Sequence, residues 1–314
     1  MTDAAIHVPV LLAECLEFLA PKPGGVYVDA TFGAGGHSGA ILSRISPGGT
    51  LIGIDRDQEV LAIGAPGLPP CDAQVHLFCA NYSELPRILF ELGIFKVNGI
   101  LCDLGISSYQ LEHSGRGFSF MRDEPLSMSM DSSSPGLTAE EIVNTAPEDE
   151  LAFIFRELGE EPHSRAVARA IVKERKTGRI VSSLQLANLI HRVKRPFIHK
   201  YERIHLATQC FQALRMAVND ELGHLAKFLE VFPDHLLPGG RMAAIAFHSL
   251  EGRMVKNRFR DLAKGCTCPT DLPCTCGLVP RGRLVTRKAV KPSDEETARN
   301  PRARSAKLRV YESF

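Results

Sequence analysis

The sequence predicts an α/β fold, a mostly parallel sheet covered by helices and interrupted by an inserted helical subdomain. Three observations predict it. From Gly25 onward, short β-branched or apolar runs alternate with helical patterns, as strand–helix–strand crossovers do. Residues 104–240 then carry helical periodicity with no comparable strand signal. At 314 residues, 44% of them hydrophobic, the chain can bury one large core and a substantial insertion.

Strands are expected at 26–30 (VYVDA), 50–55 (TLIGID), 74–79 (QVHLFC) and 98–103 (NGILCD). A fifth follows at 241–247 (RMAAIAF), with Pro238-Gly239-Gly240 turning into it, and 305–311 (SAKLRVY) is the best tail segment to close the sheet. Helices are expected at 139–145, 147–158, 164–176, 183–193 and 208–229. The chain therefore divides into a core, 1–106 with 233–314, and an insertion, 107–232. The insertion opens with the long segment 107–136, rich in Gly, Ser and Met. A loop of that length inside a compact domain is expected to serve a site, here as a substrate lid.

No run approaches the roughly 20 apolar residues of a membrane span, and the N-terminus lacks a charged segment followed by a cleavable apolar core, so a cytoplasmic protein with no membrane partner is expected. Lys and Arg number 37 against 36 acids, a balance that excludes nothing until the charges are located. They are clustered. Between Arg165 and Arg203 eleven bases meet only Glu174 and Glu202, and between Arg281 and Arg309 ten bases meet Asp294, Glu295 and Glu296. Solvated surface is the ordinary reading of either run alone; two of them beside a cofactor loop point to a polyanion.

That cofactor loop is 28–39, VDATFGAGGHSG, between the first strand and a helix. Gly33, Gly35 and Gly36 let backbone approach a ligand closely, and Asp55 at the end of the second strand is placed to accept hydrogen bonds from ribose hydroxyls. A dinucleotide fingerprint wants glycine at its third position, where this chain has Ser38. Asp29 and Thr31 suit a zwitterionic amino-acid moiety better than a diphosphate, which favours a methyltransferase loop. A plain strand-to-helix turn is the alternative to a cofactor loop, and Asp29 reads equally as a group that orients its neighbours without touching the ligand. At the end of the fourth strand Asp103 is followed by a hydroxyl-rich turn, at the sheet edge where open α/β folds bind ligands. Asp103 reads either as an acceptor for amine protons or as a holder of a cofactor's amino-acid tail. Gln110, just beyond, reads as a nucleobase contact or as a polar turn residue.

Nine cysteines are present. Cys15, Cys71, Cys79, Cys102 and Cys210 sit in apolar or strand-like contexts where a thiol packs as a small hydrophobe, and no disulfide framework is expected. Cys266, Cys268, Cys274 and Cys276 are different, pairing as Cys-X-Cys with Pro269 and Gly277 available for turns. Structural zinc, reduced free thiols and a redox switch are the three readings. A catalytic zinc is not among them, because four thiolates leave no open position.

Over nearly its whole length the chain resembles the ribosomal RNA small-subunit methyltransferase H family, also called MraW. The resemblance rests on His7-Val8-Pro9-Val10-Leu11-Leu12, residues 29–38, Gly53-Ile54-Asp55-Arg56-Asp57, residues 103–108, Arg116-Gly117-Phe118-Ser119-Phe120, Phe211-Gln212-Ala213-Leu214-Arg215, Phe247-His248-Ser249-Leu250-Glu251 and Asn300-Pro301-Arg302-Ala303-Arg304-Ser305. It implies a class I (Rossmann-like) methyltransferase with a mostly parallel seven-stranded sheet and an inserted helical substrate-recognition subdomain. It implies S-adenosylmethionine as cofactor and N4-methylation of a cytidine in the decoding region of small-subunit ribosomal RNA, as naked RNA or assembled 30S subunit, and leaves a homodimer open. Gly35, Gly36, His37, Asp55, Tyr82, Asp103 and Gln110 would be its cofactor contacts. Tyr82 can stack on adenine, with packing as its rival role. His248, Ser249 and Glu251, after the fifth strand, would stand with Asp103 near the reaction, with helix capping the rival role of Ser249. Arg215, Arg302 and Arg304 are the candidate RNA contacts.

The sequence departs from the family pattern at Ser127, Ser129, Leu206, Gln209 and Gly252, none of them in the cofactor motifs. Cofactor binding is thereby the firmer expectation and substrate identity the weaker. The reaction expected is direct transfer to the amine, since no cysteine follows the fourth strand in a Pro-Cys loop. An enzyme of this class acting on DNA or a protein amine, and a non-catalytic ribosome-assembly factor that binds the same cofactor, are the two alternatives.

Overall fold

A computed structural model describes residues 9–131, 136–197, 205–266, 268 and 275–314; His7, Val8, Lys200, Arg203 and Cys274 lie outside them. The seven strands are β1 (Val26–Asp29), β2 (Thr50–Asp55), β3 (Gln74–Cys79), β4 (Val97–Asp103), β5 (Leu236–Ala246), β6 (Gly282–Leu284) and β7 (Lys307–Ser313). They form one sheet in the order β3-β2-β1-β4-β5-β7-β6. Strands β3 to β5 of that order run parallel, whereas β7 is antiparallel to both β5 and β6. A parallel set with one reversed strand beside the last crossover is the Rossmann-like class I arrangement.

Side chains alternate between the two faces. Val28, Ile52, Ile100, Ala244 and Tyr311 pack on one side, and Tyr27, Leu51, Leu101, Ala243 and Val310 on the other. Both faces are covered, which is why the strands read as near-continuous apolar runs. The helices of this part are α1 (Leu12–Leu19), α2 (Gly36–Ile45), α3 (Gln58–Gly64) and α4 (Leu85–Glu91). In the insertion come α5 (Ser108–Glu112), α6 (Ala139–Thr145), α7 (Glu148–Glu157), α8 (Ser164–Glu174), α9 (Ser183–Lys194) and α10 (Thr208–Val218); α11 (Glu221–Val231), expected within the insertion, instead packs with the sheet, and α12 (Ser249–Leu262) and α13 (Asp294–Arg299) follow.

The chain forms two compact units, the described residues up to Gly105 with Gly223–Phe314, and Ile106–Leu222. Phe228, Leu229 and Phe232 belong to the core of the sheet unit. The helical unit has its own core, built from Val143, Phe155, Ile171, Leu186 and Leu214 among others. Its helices begin where the sequence supplies caps: Thr138 and Glu141 form a capping box on α6, and Ser182 caps α9.

Three further expectations are corrected. The helix expected at 208–229 is two helices, because Asp220 adopts a left-handed φ of 44°. The buried Asn219 beside it spends its side chain on the loop, accepting from Met130 N at 2.9 Å and donating to Met128 O at 2.8 Å. Pro238-Gly239-Gly240 does not precede β5 but lies within it, where the pairing with β4 shifts register between Val97 and Gly99. The basic run from Arg165 is also less of a surface than its composition suggests. Lys194 is buried against Glu161 at 2.5 Å, and the Arg175 guanidinium donates to the carbonyls of Val143 and Ala146. Among the described residues no helix is long and apolar enough to cross a membrane.

Candidate active site

The strand register makes a notch. Asp29, the last residue of β1, is level with Gly53 and Leu101, so β2 and β4 each run two residues further, to Asp55 and Asp103. The turn 30–36 leaves β1 inside that notch, at the carboxyl edge where open sheets bind ligands. Gly33 and Gly35 have φ of 56° and 79°, a backbone that other residues adopt only under strain. Gly36 serves close packing instead, since a Cβ there would lie 2.5 Å from Pro9 Cγ.

Asp29 ties the turn together. Ser38 Oγ donates to its Oδ2 at 2.7 Å and Thr31 N to its Oδ1 at 3.3 Å. Serine at the third fingerprint position is thus explained by its bond to Asp29, and the Asp29 carboxylate, 1% exposed, acts as an orienting group behind the turn. Thr31, which the sequence reading valued only for its polarity, accepts from Asp103 N at 2.6 Å and so joins the turn to β4. Asp55 Oδ2 accepts from Gly33 N at 2.8 Å and its Oδ1 from Asp57 N at 3.0 Å, each oxygen keeping capacity for a further donor.

Three carboxyls therefore crowd one sheet edge, and burial dominates each. Asp103 is pushed up to about 8 by burial and then by the charges of Asp29 and Glu251. Asp29 rises to about 7 for the same first reason, partly offset by the bonds from Ser38 and Thr31, and Asp55 to about 6. Asp103 Oδ1 is shielded and receives no hydrogen bond from any described residue. His37, in the first turn of α2, has Nε2 at 3.0 Å from Val10 O. A carbonyl only accepts, so Nε2 carries the proton and Nδ1 is the atom turned to Asp103 Oδ2, at 3.9 Å. Leu11 N in turn donates to Glu296 at 2.7 Å, so residues 10 and 11 link α2 to α13. Glu296 was invisible as a site residue in the sequence, being one acid of three in a row.

After β5, His248 takes the N-cap position of α12 and Ser249 its first turn, so the capping position is not that of Ser249. Glu251 is buried in the same turn, 2% exposed. Beside them Arg253, Lys256, Lys307 and Arg309 line a cavity of about 200 Å³ that also takes in His248 and Ser249. This strongly cationic concavity is on the sheet unit, and the sequence spread its four bases over two distant segments.

The other expected residues fall elsewhere. The Tyr82 ring is partly buried and packs edge-on against Phe228, centroids 5.2 Å apart, at the margin of the core under the sheet. Gln110 belongs to the helical unit, where it forms a capping box with Ser107: its Oε1 accepts from Ser107 N at 3.0 Å. Arg215 is corrected as a surface contact. It is 7% exposed and held bidentate by Glu221 at 2.7 and 2.8 Å, spanning the break between α10 and α11. Arg302 is half-buried and Arg304 exposed on the tight turn Pro301–Ser305. Cys266, Cys268 and Cys276 come together, their sulfurs all within 4.8 Å of one another.

Known proteins share this plan in sequence. The family model described as the MraW methylase family matches residues 4–314. The ribosomal RNA small subunit methyltransferase H of Geobacter sulfurreducens is 51% identical over 309 residues, 98% of this chain and 99% of that one. The protein of the same name from Nitratidesulfovibrio vulgaris is 48% identical over 98% of this chain and 85% of its own. That of Citrifermentans bemidjiense is 49% identical over 98% of both. A match of this extent, with the notch and its turn built from the matching motifs, places the chain in the MraW methylase family.

Proposed function

We propose that this protein transfers a methyl group from S-adenosylmethionine to the N4 exocyclic amine of a cytidine in the decoding region of small-subunit ribosomal RNA. The observation that carries the reading is the crowding of Asp29, Asp55 and Asp103 around one notch, each with its carboxyl raised toward neutrality. Such a site favours a cation. A sulfonium with an ammonium tail fits it, whereas a diphosphate would meet Asp55 and Asp103 with Asp29 buried behind them. When bound, S-adenosylmethionine supplies the electrophilic methyl group. The names of the curated relatives support ribosomal RNA as the acceptor.

The residues divide the work as follows. Asp29, through Ser38 and Thr31, keeps the glycine turn shaped for close backbone approach. Asp55, already fixed by Gly33 N and Asp57 N, offers its remaining lone pairs to ribose hydroxyls. Asp103 ionises beside the cation and accepts a hydrogen bond from the cytosine amine, turning the nitrogen lone pair toward the methyl. With the cofactor bound, the amine would take the methyl group as the donor's S–C bond gives way, and the one surplus amine proton would pass to Asp103. Asp29 and the buried Glu251 set the charge that Asp103 feels, and His37, held by Val10, stands beside it. The cationic cavity beside His248, with Arg302 and Arg304, receives RNA phosphates, and the helical unit recognises the surrounding RNA. The test is mass spectrometry of small-subunit RNA from cells with and without the gene. N4-methylcytidine in the decoding region should vanish with the gene and return with wild type but not with Asp103→Asn. Unchanged modification refutes the substrate, and RNA and cofactor binding without turnover would mark an assembly factor.

A further inference from the structure

We infer that Cys266, Cys268 and Cys276 hold a structural zinc ion that organises the loop between α12 and β6. None of its described residues between Ala263 and Arg281 is buried, and Leu278 and Val279 are 52% and 77% exposed. Among the described residues no apolar core holds its shape. Its base is tied by Arg281 N donating to Leu262 O at 2.8 Å and by the Arg281–Asp234 ion pair. Its far end needs another fastening, and small segments without a core use a disulfide or a metal.

The thiols have the geometry of the second. Zn–S bonds of about 2.3 Å in a tetrahedron separate the sulfurs by about 3.8 Å. The Cys266 and Cys276 sulfurs are 3.6 Å apart, and all three lie within 4.8 Å of one another. A disulfide requires about 2.05 Å. The surrounding amides point the same way. Cys268 N donates to Cys266 Sγ at 3.4 Å and Leu278 N to Cys276 Sγ at 3.5 Å, in each case the amide two residues on. Thr275 N donates to Cys268 Sγ at 3.4 Å. Each of the three sulfurs thus receives a backbone N–H, the support that favours the thiolate form a metal requires. A structural zinc takes four ligands; the described residues supply three sulfurs, and the sequence carries a fourth thiol, Cys274, in the second pair.

The test is the metal content of the untagged full-length protein, purified without chelator, by inductively coupled plasma mass spectrometry. About one zinc per chain is expected, with X-ray absorption showing sulfur neighbours at about 2.3 Å. Replacing the zinc by cobalt should produce the thiolate-to-metal charge-transfer absorption. Cys266→Ser/Cys276→Ser should lower zinc content at least tenfold, while Cys71→Ser leaves it unchanged. Wild-type protein that unfolds cooperatively yet holds no zinc overturns the inference, whatever the double variant does. So does zinc with no sulfur neighbours, or an intact mass about 2 Da low that maps to a Cys266–Cys276 disulfide.

Discussion

Asp103→Asn should make the protein more stable and unable to methylate. In the folded chain this carboxyl is raised from 3.8 to about 8, by burial first and then by Asp29 and Glu251. Its native state therefore binds the proton more tightly than its unfolded state. Stability from this group is fully present below pH 3.8 and is lost as pH climbs toward 8. The loss runs at up to about 1.4 kcal/mol per pH unit, so by pH 7 it reaches on the order of 2–4 kcal/mol, the lower figure discounting for solvent screening. The side chain is 23% exposed, which is why that discount applies. Asparagine keeps the shape and the Asp103 N–Thr31 bond but never ionises. Urea unfolding of the cofactor-free proteins at pH 5, 6, 7 and 8 should show the variant ahead of wild type by a margin that widens with pH. Its methyl transfer should fall by about 10²–10⁴. A margin that is absent, or the same at every pH, refutes the electrostatic account of this site.

The same crowding predicts that S-adenosylmethionine binding releases protons near pH 7. A neutral Asp103 must ionise to pair with the cation, so affinity should rise with pH up to about 8, and calorimetry in buffers of different ionisation enthalpy should detect the release. Asp55→Asn should weaken cofactor binding at least tenfold by equilibrium titration, because it disturbs both the Gly33 turn and the proposed ribose contact. Arg215→Ala should cost about 3–5 kcal/mol in chemical denaturation, since Glu221 is left buried without its bidentate partner. Arg304→Ala should leave stability unchanged and reduce the salt dependence of RNA binding by about one phosphate contact, read by fluorescence anisotropy across salt concentrations.

How much was legible varies with how local the cause is. β2 and β3 lie at the residues expected, because apolar alternation bounded by turn residues is a local signal. The break at Asn219-Asp220 was not legible, since its cause is a pair of hydrogen bonds to Met128 and Met130, about ninety residues away in the chain. Arg215 illustrates the same limit at a site residue. Its motif marks it, but a guanidinium looks alike in sequence whether it meets a phosphate or a buried Glu221.

By itself the sequence determined the alternation of strands and helices, the glycine turn, the acids at the strand ends and the membership of a family. Each is written in contiguous residues, whose spacing sets backbone geometry directly. Only the tertiary structure decided that β1 stops two residues short of its neighbours and so opens a notch. It alone made Ser38 the partner of Asp29, gathered Arg253, Lys256, Lys307 and Arg309 around one cavity, and brought three sulfurs of two Cys-X-Cys pairs together. Burial and charge proximity depend on distances that folding creates, and a carboxyl's proton affinity follows from those distances rather than from its neighbours in the chain.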